Sequence, residues 1–157
     1  MTTDPMTSDL DAASMAILEN IPITAAMGVR VVSLAPGTGA IEAPPEPNIN
    51  HAGMMYAGSL FTLGELLGGL LPPVTWDIAG YVPVVAGLDI KFRRPAYGTI
   101  RATATVADED LERVRSELAA GEPKIRFPLS SSLTDESGTE VATTIGQYVL
   151  LKMDGLG

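Results

Sequence analysis

The longest apolar stretch of the chain, residues 54–71 (MMYAGSLFTLGELLGGLL), is apolar on nearly every side when drawn as a helix. The pattern predicts about five helical turns at 3.6 residues per turn, placed in the centre of the fold because no face suits water. Each interior glycine (Gly64, Gly68 and Gly69) costs a helix about 1 kcal/mol relative to alanine. These glycines predict close contact with other backbone, and Pro72-Pro73 predicts a sharp helix end.

Alternating or β-branched segments elsewhere predict strands on both sides of this helix. The predicted strands are Val29–Leu34, Ala40–Ala43, Val84–Arg93, Thr99–Val106, Ile125–Leu133 and Thr139–Leu151. Pro128 indicates a strand edge or a bulge within one of them. Two more helices are predicted over Ser8–Asn20 and Asp108–Ala120, the second with Asp108 as N-cap and Gly121 as its stop.

The order of these elements predicts the fold class. Two strands precede the apolar helix, and four follow it with a small helix inserted among them. Hairpin connections favour antiparallel pairing, and a curved antiparallel sheet wrapped around one central helix would bury a helix that is apolar all round. We therefore expect an α+β hotdog fold, with residues 8–157 forming a single domain and residues 1–7 a disordered N-terminus.

Composition narrows the function. The net charge of -9 argues against binding to nucleic acid or to an anionic membrane surface. The absence of cysteine and the single histidine exclude thiolate nucleophiles, Cys-based metal sites and multi-His metal sites within one chain. The N-terminal segment lacks the apolar core of a secretory signal, and the apolar run 66–74 is too short to cross a bilayer. We expect a cytoplasmic protein without a cofactor.

Glu65 is the single charged residue between Met54 and Trp76. A buried carboxylate is costly unless it is paired, shifted in pKa or used in chemistry. Two structural explanations stand beside a catalytic one: Glu65 could lie at a solvent-facing edge, or it could pair with an arginine.

The segment from Asn50 through Gly53 to Tyr56-Ala57-Gly58-Ser59 and on to Glu65 resembles a motif of the hotdog acyl-CoA thioesterases of the phenylacetate-pathway and 4-hydroxybenzoyl-CoA type. In that motif an asparagine is followed, after six residues, by a Gly-Gly pair that opens the central helix, and an acidic residue stands seven positions after the second glycine. Here the asparagine is Asn50, the pair corresponds to Ala57 and Gly58, and the acidic residue is Glu65. The closest likeness is to a little-characterised thioesterase branch of the superfamily. Residues 92–98 (FRRPAYG) also resemble its post-helix strand and turn, and the resemblance covers residues 28–151.

Two positions depart from the motif. Tyr56 replaces a frequent histidine, and Ala57 replaces the first glycine of the pair. A backbone N–H survives the second change, although the space beside it shrinks. The departures therefore bear on the substrate more than on the oxyanion role.

Thioester hydrolysis needs a polarised carbonyl and a delivered nucleophile. The first N–H groups of a helix point outward and favour negative charge, so the Ala57 and Gly58 amides are candidates for an oxyanion hole. Glu65 would be the general base, or the nucleophile that forms a mixed anhydride; the sequence leaves both roles open. Desolvation beside Leu66 should raise its pKa. Asn50 could orient the base or the water, or could cap its own loop.

Ala57 and Glu65 are eight residues apart, about 12 Å along a helix. One thioester carbon would not reach both within one chain. We therefore expect the site to combine Ala57 and Gly58 of one subunit with Glu65 of another, in a homodimer or a dimer of dimers, as the resemblance implies.

The expected substrate is an acyl-CoA or an acyl-carrier thioester, with coenzyme A as part of the substrate. A basic cluster is predicted to bind the CoA phosphates, although a solvated strand face would show the same charges. Its members are Lys91, Arg93, Arg94 and Arg101. An acyl pocket could be lined by side chains at and near the helix start, although core packing explains Phe61 equally well. These side chains are Tyr56, Phe61, Met54 and Met55.

Two other functions remain open. His51 and Glu65 are fourteen residues apart, a spacing that resembles hotdog hydroxyacyl-thioester dehydratases, in which a loop histidine and a helix glutamate act together. The match is partial, because those relatives carry Pro-Gly after the histidine motif where this chain has Ala52-Gly53. A non-catalytic acyl-CoA or lipid-binding hotdog protein is the other alternative.

Overall fold

The computed structural model describes residues 16–155, in which six antiparallel strands form one sheet against a long helix. The strands are β1 (Arg30–Ala35), β2 (Thr38–Ala43), β3 (Tyr81–Phe92), β4 (Ile100–Thr105), β5 (Lys124–Thr134) and β6 (Glu140–Lys152). The helices are α1 (Pro22–Ala26), α2 (Ala57–Thr75) and α3 (Asp108–Ala119), residues 16–19 are also helical, and Met153–Gly155 forms a 3-10 turn. The expected disorder of residues 1–7 and the expected helix start at Ser8 lie outside the described residues.

Helix α2 contacts all six strands, which are ordered β1-β2-β4-β5-β6-β3 across the sheet. Its side chains Leu63, Leu67 and Leu71 are completely buried. A sheet that touches one helix with every strand must wrap around it, because a flat sheet would pass the helix at its edges. The α+β hotdog fold expected from the sequence is therefore confirmed.

The strand pattern also holds at the level of single residues. In β4 the apolar positions are buried and the alternating polar positions are exposed, as the period of two predicts. The strand register agrees with the expectation for Pro128: β5 pairs with β4 only through Ser131–Thr134, so Pro128 has a strand neighbour on one side alone. The predicted edge position of Pro128 is confirmed.

Both ends of the central helix differ from the prediction. Met54 and Met55 precede α2, because the Met55 N–H donates to the carbonyl of Ala96 (2.8 Å) in the β3–β4 connection. The helix continues through Pro72-Pro73 to Thr75, so the expected stop at the prolines is wrong. Proline already has a helical φ, and the Trp76 N–H closes the last turn on the Pro72 carbonyl (2.9 Å).

The start of α3 is a smaller correction. Ala107, and not Asp108, is the N-cap residue, and no side chain caps the helix. Three acidic residues occupy the first turn instead, where their charges favour the positive end of the helix dipole. The predicted end is correct, since Gly121 follows with a positive φ of 71°.

The helix glycines fall into two groups. A Cβ on Gly64 would lie 2.4 Å from the Thr144 methyl carbon, and one on Gly68 would lie 1.8 Å from the Tyr148 ring. The close approach is therefore made by side chains, and the predicted contact with backbone is wrong. At Gly69 no heavy atom of the described residues comes within 4 Å of the Cβ position, so the prediction of close packing is wrong there as well.

Strand β3 forms one edge of the sheet. It pairs with β6 on one side, and within residues 16–155 it has no strand partner on the other. Val84 and Val85 are 37% and 43% exposed on this strand.

Within residues 16–155, α2 is the one helix with the length and hydropathy of a membrane span, and it is the core helix of this domain.

Candidate active site

A buried asparagine holds the start of α2. Asn48 donates from Nδ2 to the carbonyls of Met27 (2.7 Å) and Pro44 (2.9 Å), and its Oδ1 accepts from the Ser59 hydroxyl (3.0 Å). Its own carbonyl accepts from the Tyr56 N–H (2.7 Å). These bonds fix the loop to the first helical turn. Neither Asn48 nor Ser59 was singled out from the sequence, and the loop around Asn48 offers no local signal, because the residues on both sides of this asparagine are exposed.

The first two amides of α2 are unused. Tyr56 is the N-cap, without a side-chain hydrogen bond, and its carbonyl accepts from the amides of Ser59 and Leu60. Within residues 16–155, neither the Ala57 N–H nor the Gly58 N–H has an acceptor. Both therefore lie at the positive end of a 19-residue helix and are free to bind an anion.

Gly58 could not be replaced without moving Tyr56. A Cβ at Gly58 would lie 2.5 Å from the Cε1 atom of the Tyr56 ring, which packs over the glycine. The glycine thus has a packing reason beyond the oxyanion role, and Tyr56 itself remains 57% exposed.

A cavity of about 370 Å³ opens beside this helix start, and we call it the helix-start cavity. It brings together six of the candidate residues from the sequence analysis: Asn50, Met54, Met55, Ala57, Arg93 and Arg94. Its lining is Asn50, Met54, Met55, Ala57, Leu60, Phe92, Arg93, Arg94, Pro95 and Ala96. Polar and cationic groups therefore lie beside one of the two free amides.

Asn50 caps its own loop. Its Oδ1 accepts from the N–H groups of Ala52 (2.8 Å) and Met54 (3.2 Å), and its backbone N–H donates to the Met54 carbonyl (2.7 Å). These bonds explain the residue structurally, as one of the two interpretations of the sequence anticipated. A direct role in orienting water stays a prediction.

The basic cluster divides in the structure. Arg93 and Arg94 are exposed, line the helix-start cavity and form no ion pair within residues 16–155. Arg101 instead donates from Nε (3.2 Å) and Nη2 (2.9 Å) to the buried carboxylate of Glu42, which also pairs with Arg30. Arg101 therefore neutralises a buried charge and does not line the helix-start cavity, so a role for it in phosphate binding stays a prediction. Lys91 is exposed on β3 but does not line the cavity.

Glu65 lines a second cavity, of about 360 Å³, which we call the Glu65 cavity. The other lining residues are all apolar: Ile17, Ile21, Leu66, Gly69, Leu70, Pro73, Val82 and Pro83. The Glu65 side chain is half-buried, and within the described residues it forms no hydrogen bond and no ion pair. Burial raises its pKa above the ordinary value for glutamate. The alternative in which Glu65 pairs with an arginine is thus wrong for residues 16–155.

Tyr148 fixes the backbone behind the carboxylate. Its hydroxyl donates to the Glu65 carbonyl (3.0 Å), and its ring stacks on Phe127 with centroids 5.6 Å apart. Burial, with a smaller contribution from the charge of Glu65, raises the pKa of Tyr148. The hydroxyl therefore stays protonated and keeps donating, which holds this turn of α2 in place.

The two cavities share no lining residue. Strand β3 runs past both, with Val82 at the Glu65 cavity and Phe92 at the helix-start cavity. Within one chain the free amides and the carboxylate therefore do not converge. His51, Tyr56 and Phe61 line neither cavity; all three are exposed, which also excludes Phe61 from the core.

Comparisons with known proteins agree with this architecture. The family model described as “Putative thioesterase (yiiD_Cterm)” matches residues 11–152. A Pseudomonas aeruginosa structure, described as a protein of unknown function and “Probable Thioesterase”, is 36% identical with a TM-score of 0.81, over 93% of this chain and 95% of that chain. No curated protein matches the sequence significantly.

Two more distant structures share the fold. The Escherichia coli PaaI protein from the phenylacetic acid degradation operon is 19% identical, with a TM-score of 0.68 over 90% of this chain and 93% of its own. A Haemophilus influenzae thioesterase is 14% identical, with a TM-score of 0.72 over 98% of this chain and 94% of its own. Since the family model spans almost the whole chain, the protein belongs to the family described as “Putative thioesterase (yiiD_Cterm)”, in the hotdog thioesterase superfamily, and its class is that of the thioester hydrolases.

Proposed function

We propose that the protein hydrolyses acyl-CoA thioesters at a site shared between two subunits. The observation that carries the proposal is Glu65, a half-buried carboxylate without a partner in the described part of the chain, in an otherwise apolar cavity. Burying a carboxylate without a partner is costly, and carboxylates whose pKa is shifted by burial occur preferentially at functional sites. Two unused amides at the start of the same helix supply the complementary group, a place for a developing oxyanion.

The reaction follows from these two groups. The thioester carbonyl oxygen accepts hydrogen bonds from the Ala57 and Gly58 amides as it becomes negative. With Glu65 as base, the carboxylate takes a proton from water while the water oxygen adds to the carbonyl carbon. The C–S bond then breaks, the thiolate receives that proton, and a carboxylic acid and free CoA leave. With Glu65 as nucleophile, its oxygen adds to the carbonyl carbon and the C–S bond breaks, which leaves CoA thiolate and a mixed anhydride. Water then hydrolyses the anhydride, which releases the carboxylic acid, regenerates the Glu65 carboxylate and supplies the proton that the thiolate takes up.

The free edge of β3 supports a shared site. If two copies pair antiparallel through this edge about a two-fold axis near Gly87, the Val82 end of one strand lies opposite the Phe92 end of the other. Each Glu65 cavity then adjoins the helix-start cavity of the second copy. Exposed Val84 and Val85 would be covered by the same contact. The arrangement makes a homodimer, or a dimer of dimers, the active form.

Arg93 and Arg94 provide the CoA end of the site. They are exposed cations beside a free helix amide, on a chain whose net charge is -9. Phosphate groups bind arginine through charge-assisted hydrogen bonds. We therefore favour an acyl-CoA over a small thioester without phosphates, and a cytoplasmic location where CoA is available.

Free-thiol release tests the proposal. Acetyl, hexanoyl, decanoyl and phenylacetyl-CoA are offered to the wild-type protein, to Glu65→Gln and to the matched control Glu109→Gln, an exposed carboxylate on α3. We expect turnover by the wild type and the control, and a loss on the order of 100-fold to 10,000-fold in Glu65→Gln. Circular dichroism and measured mass check that fold and assembly are unchanged.

Other results would redirect the assignment. Equal turnover by Glu65→Gln and the wild type would remove Glu65 from the chemistry. Formation of enoyl absorbance from a hydroxyacyl-CoA, dependent on His51, would support the dehydratase. Saturable CoA binding without any product would support a binding protein. Transfer of heavy oxygen from labelled water into Glu65 during single turnover would identify the nucleophile role.

A further inference from the structure

Gly69 occupies an unusual position in the central helix. Unlike Gly64 and Gly68, which face Thr144 and Tyr148, it has no heavy atom of the described residues within 4 Å of its Cβ position. A glycine in a helix interior loses about 1 kcal/mol relative to alanine. Packing within residues 16–155 therefore does not account for this glycine.

The open space beside Gly69 is the Glu65 cavity. Gly69 follows Glu65 by four residues, so the two lie on one face of α2, about 6 Å apart along the axis. Beyond the carboxylate the walls come from the helix, from residues before α1 and from the first residues of β3, and all are apolar. A volume of about 360 Å³ lies near the lower end of the range for small-molecule sites.

We propose that this cavity receives the acyl chain, that it selects apolar aliphatic acyl groups, and that Gly69 sets the longest chain accepted. The inference rests on the proposed thioesterase function. It moves the acyl pocket away from Tyr56 and Phe61, which line neither cavity, to the far side of Glu65.

The chemistry of the two cavities supports this division of the substrate. The helix-start cavity carries Arg93 and Arg94 and suits the phosphates of CoA. Among residues 16–155, the Glu65 cavity is lined by one polar side chain, the carboxylate at the reacting carbon. A hydroxyl at the far end of the acyl chain would lose its water without gaining a partner among Ile17, Ile21 or Val82. The cavity should therefore reject terminally hydroxylated chains.

Variants of Gly69 provide the test. Gly69→Ala should shorten the preferred chain by about one methylene, and Gly69→Leu should reduce kcat/KM for the longest wild-type substrates on the order of 100-fold, since each buried methylene contributes roughly fourfold. Acetyl-CoA, whose acyl group is too short to extend past Gly69, should lose much less of its kcat/KM than the long-chain substrates do, and the ratio of the two values is the readout. The control is Ala119→Leu, which adds the same kind of bulk to a different cavity, between α2 and α3.

Binding is measured in parallel with S-alkyl-CoA thioethers, which cannot be hydrolysed. Wild-type affinity should rise with alkyl length to a limit, Gly69→Leu should lower that limit, and a terminal hydroxyl should weaken binding about tenfold or more. The same length dependence without turnover would keep this inference and reject the thioesterase function. Turnover with an unchanged length profile in Gly69→Leu, a uniform loss on all chains, or loss of the oligomer would overturn the inference.

Discussion

The adjacent glycines Gly68 and Gly69 should respond to alanine with opposite signs. At Gly68 a Cβ would lie 1.8 Å from the Tyr148 ring, so the ring must move away from Phe127 and from the Glu65 carbonyl that its hydroxyl contacts. Overpacking of this kind costs about 1–3 kcal/mol, and the lost hydrogen bond costs about 0.5–1.5 kcal/mol. The helix propensity of alanine returns about 1 kcal/mol.

Gly68→Ala should therefore lower the free energy of unfolding by roughly 0.5–3.5 kcal/mol. Gly69→Ala receives the same propensity gain without a clash, because its Cβ position is open, and should raise the free energy of unfolding by up to about 1 kcal/mol. In a domain of this size, each kcal/mol corresponds to a shift of about 2–4 °C in Tm.

Urea unfolding of the three proteins, followed by circular dichroism at one protein concentration, measures both changes. The m-value should stay constant while the midpoint moves down for Gly68→Ala and up for Gly69→Ala. A shift of the same sign in both variants would refute the packing described around these glycines, and with it the open cavity beside Glu65.

Three further predictions concern the site. Ala57→Pro removes one N–H at the first helical position, where proline is well tolerated, and should lower kcat/KM by about 100-fold to 1,000-fold, whereas Ala57→Gly keeps the N–H and the rate. Burial raises the folded-state pKa of Glu65, so the wild type should lose stability relative to Glu65→Gln as the pH rises from about 4.3 through that pKa. Urea titrations at several pH values measure the difference in the free energy of unfolding between the two proteins, and a difference that does not change with pH would contradict the prediction. The double variant Arg93→Gln/Arg94→Gln should raise the KM for acyl-CoA by about tenfold at low salt, but not the KM for acyl-N-acetylcysteamine, which lacks phosphates. Arg115→Gln on α3 is the control. An equal effect on both substrates would exclude phosphate binding by this pair.

The architecture was predictable because it follows from periodicity. A helix that is apolar on all sides has to be enclosed, and the alternation in Thr99–Val106 specifies which side of β4 faces it. The ends of the helices were harder to predict from the sequence. They depend on contacts between residues distant in sequence, such as the hydrogen bond from Met55 to Ala96, which no local pattern shows.

The candidate site was predictable in its residue types and not in its partners. The isolated charge of Glu65 and the two helix-opening amides could be recognised from the sequence. The pairing of Arg101 with buried Glu42 could not, because both look like ordinary alternating strand residues until β2 and β4 are placed side by side. The same holds for Asn48, because its side chain bonds to Met27 and Ser59, which are distant in sequence.

Mixed assemblies test the central claim, that Glu65 acts with the helix amides of another subunit. Glu65→Gln and Ala57→Pro proteins, each nearly inactive alone, are unfolded together and refolded as mixed dimers, and thiol release is then measured. A shared site predicts that mixing restores activity, because one of the two sites in each mixed dimer regains both Glu65 and the Ala57 N–H, giving about one quarter of wild-type activity for random association. No recovery, with mixed dimers demonstrated by mass, would show that both groups must belong to one chain and would contradict the account.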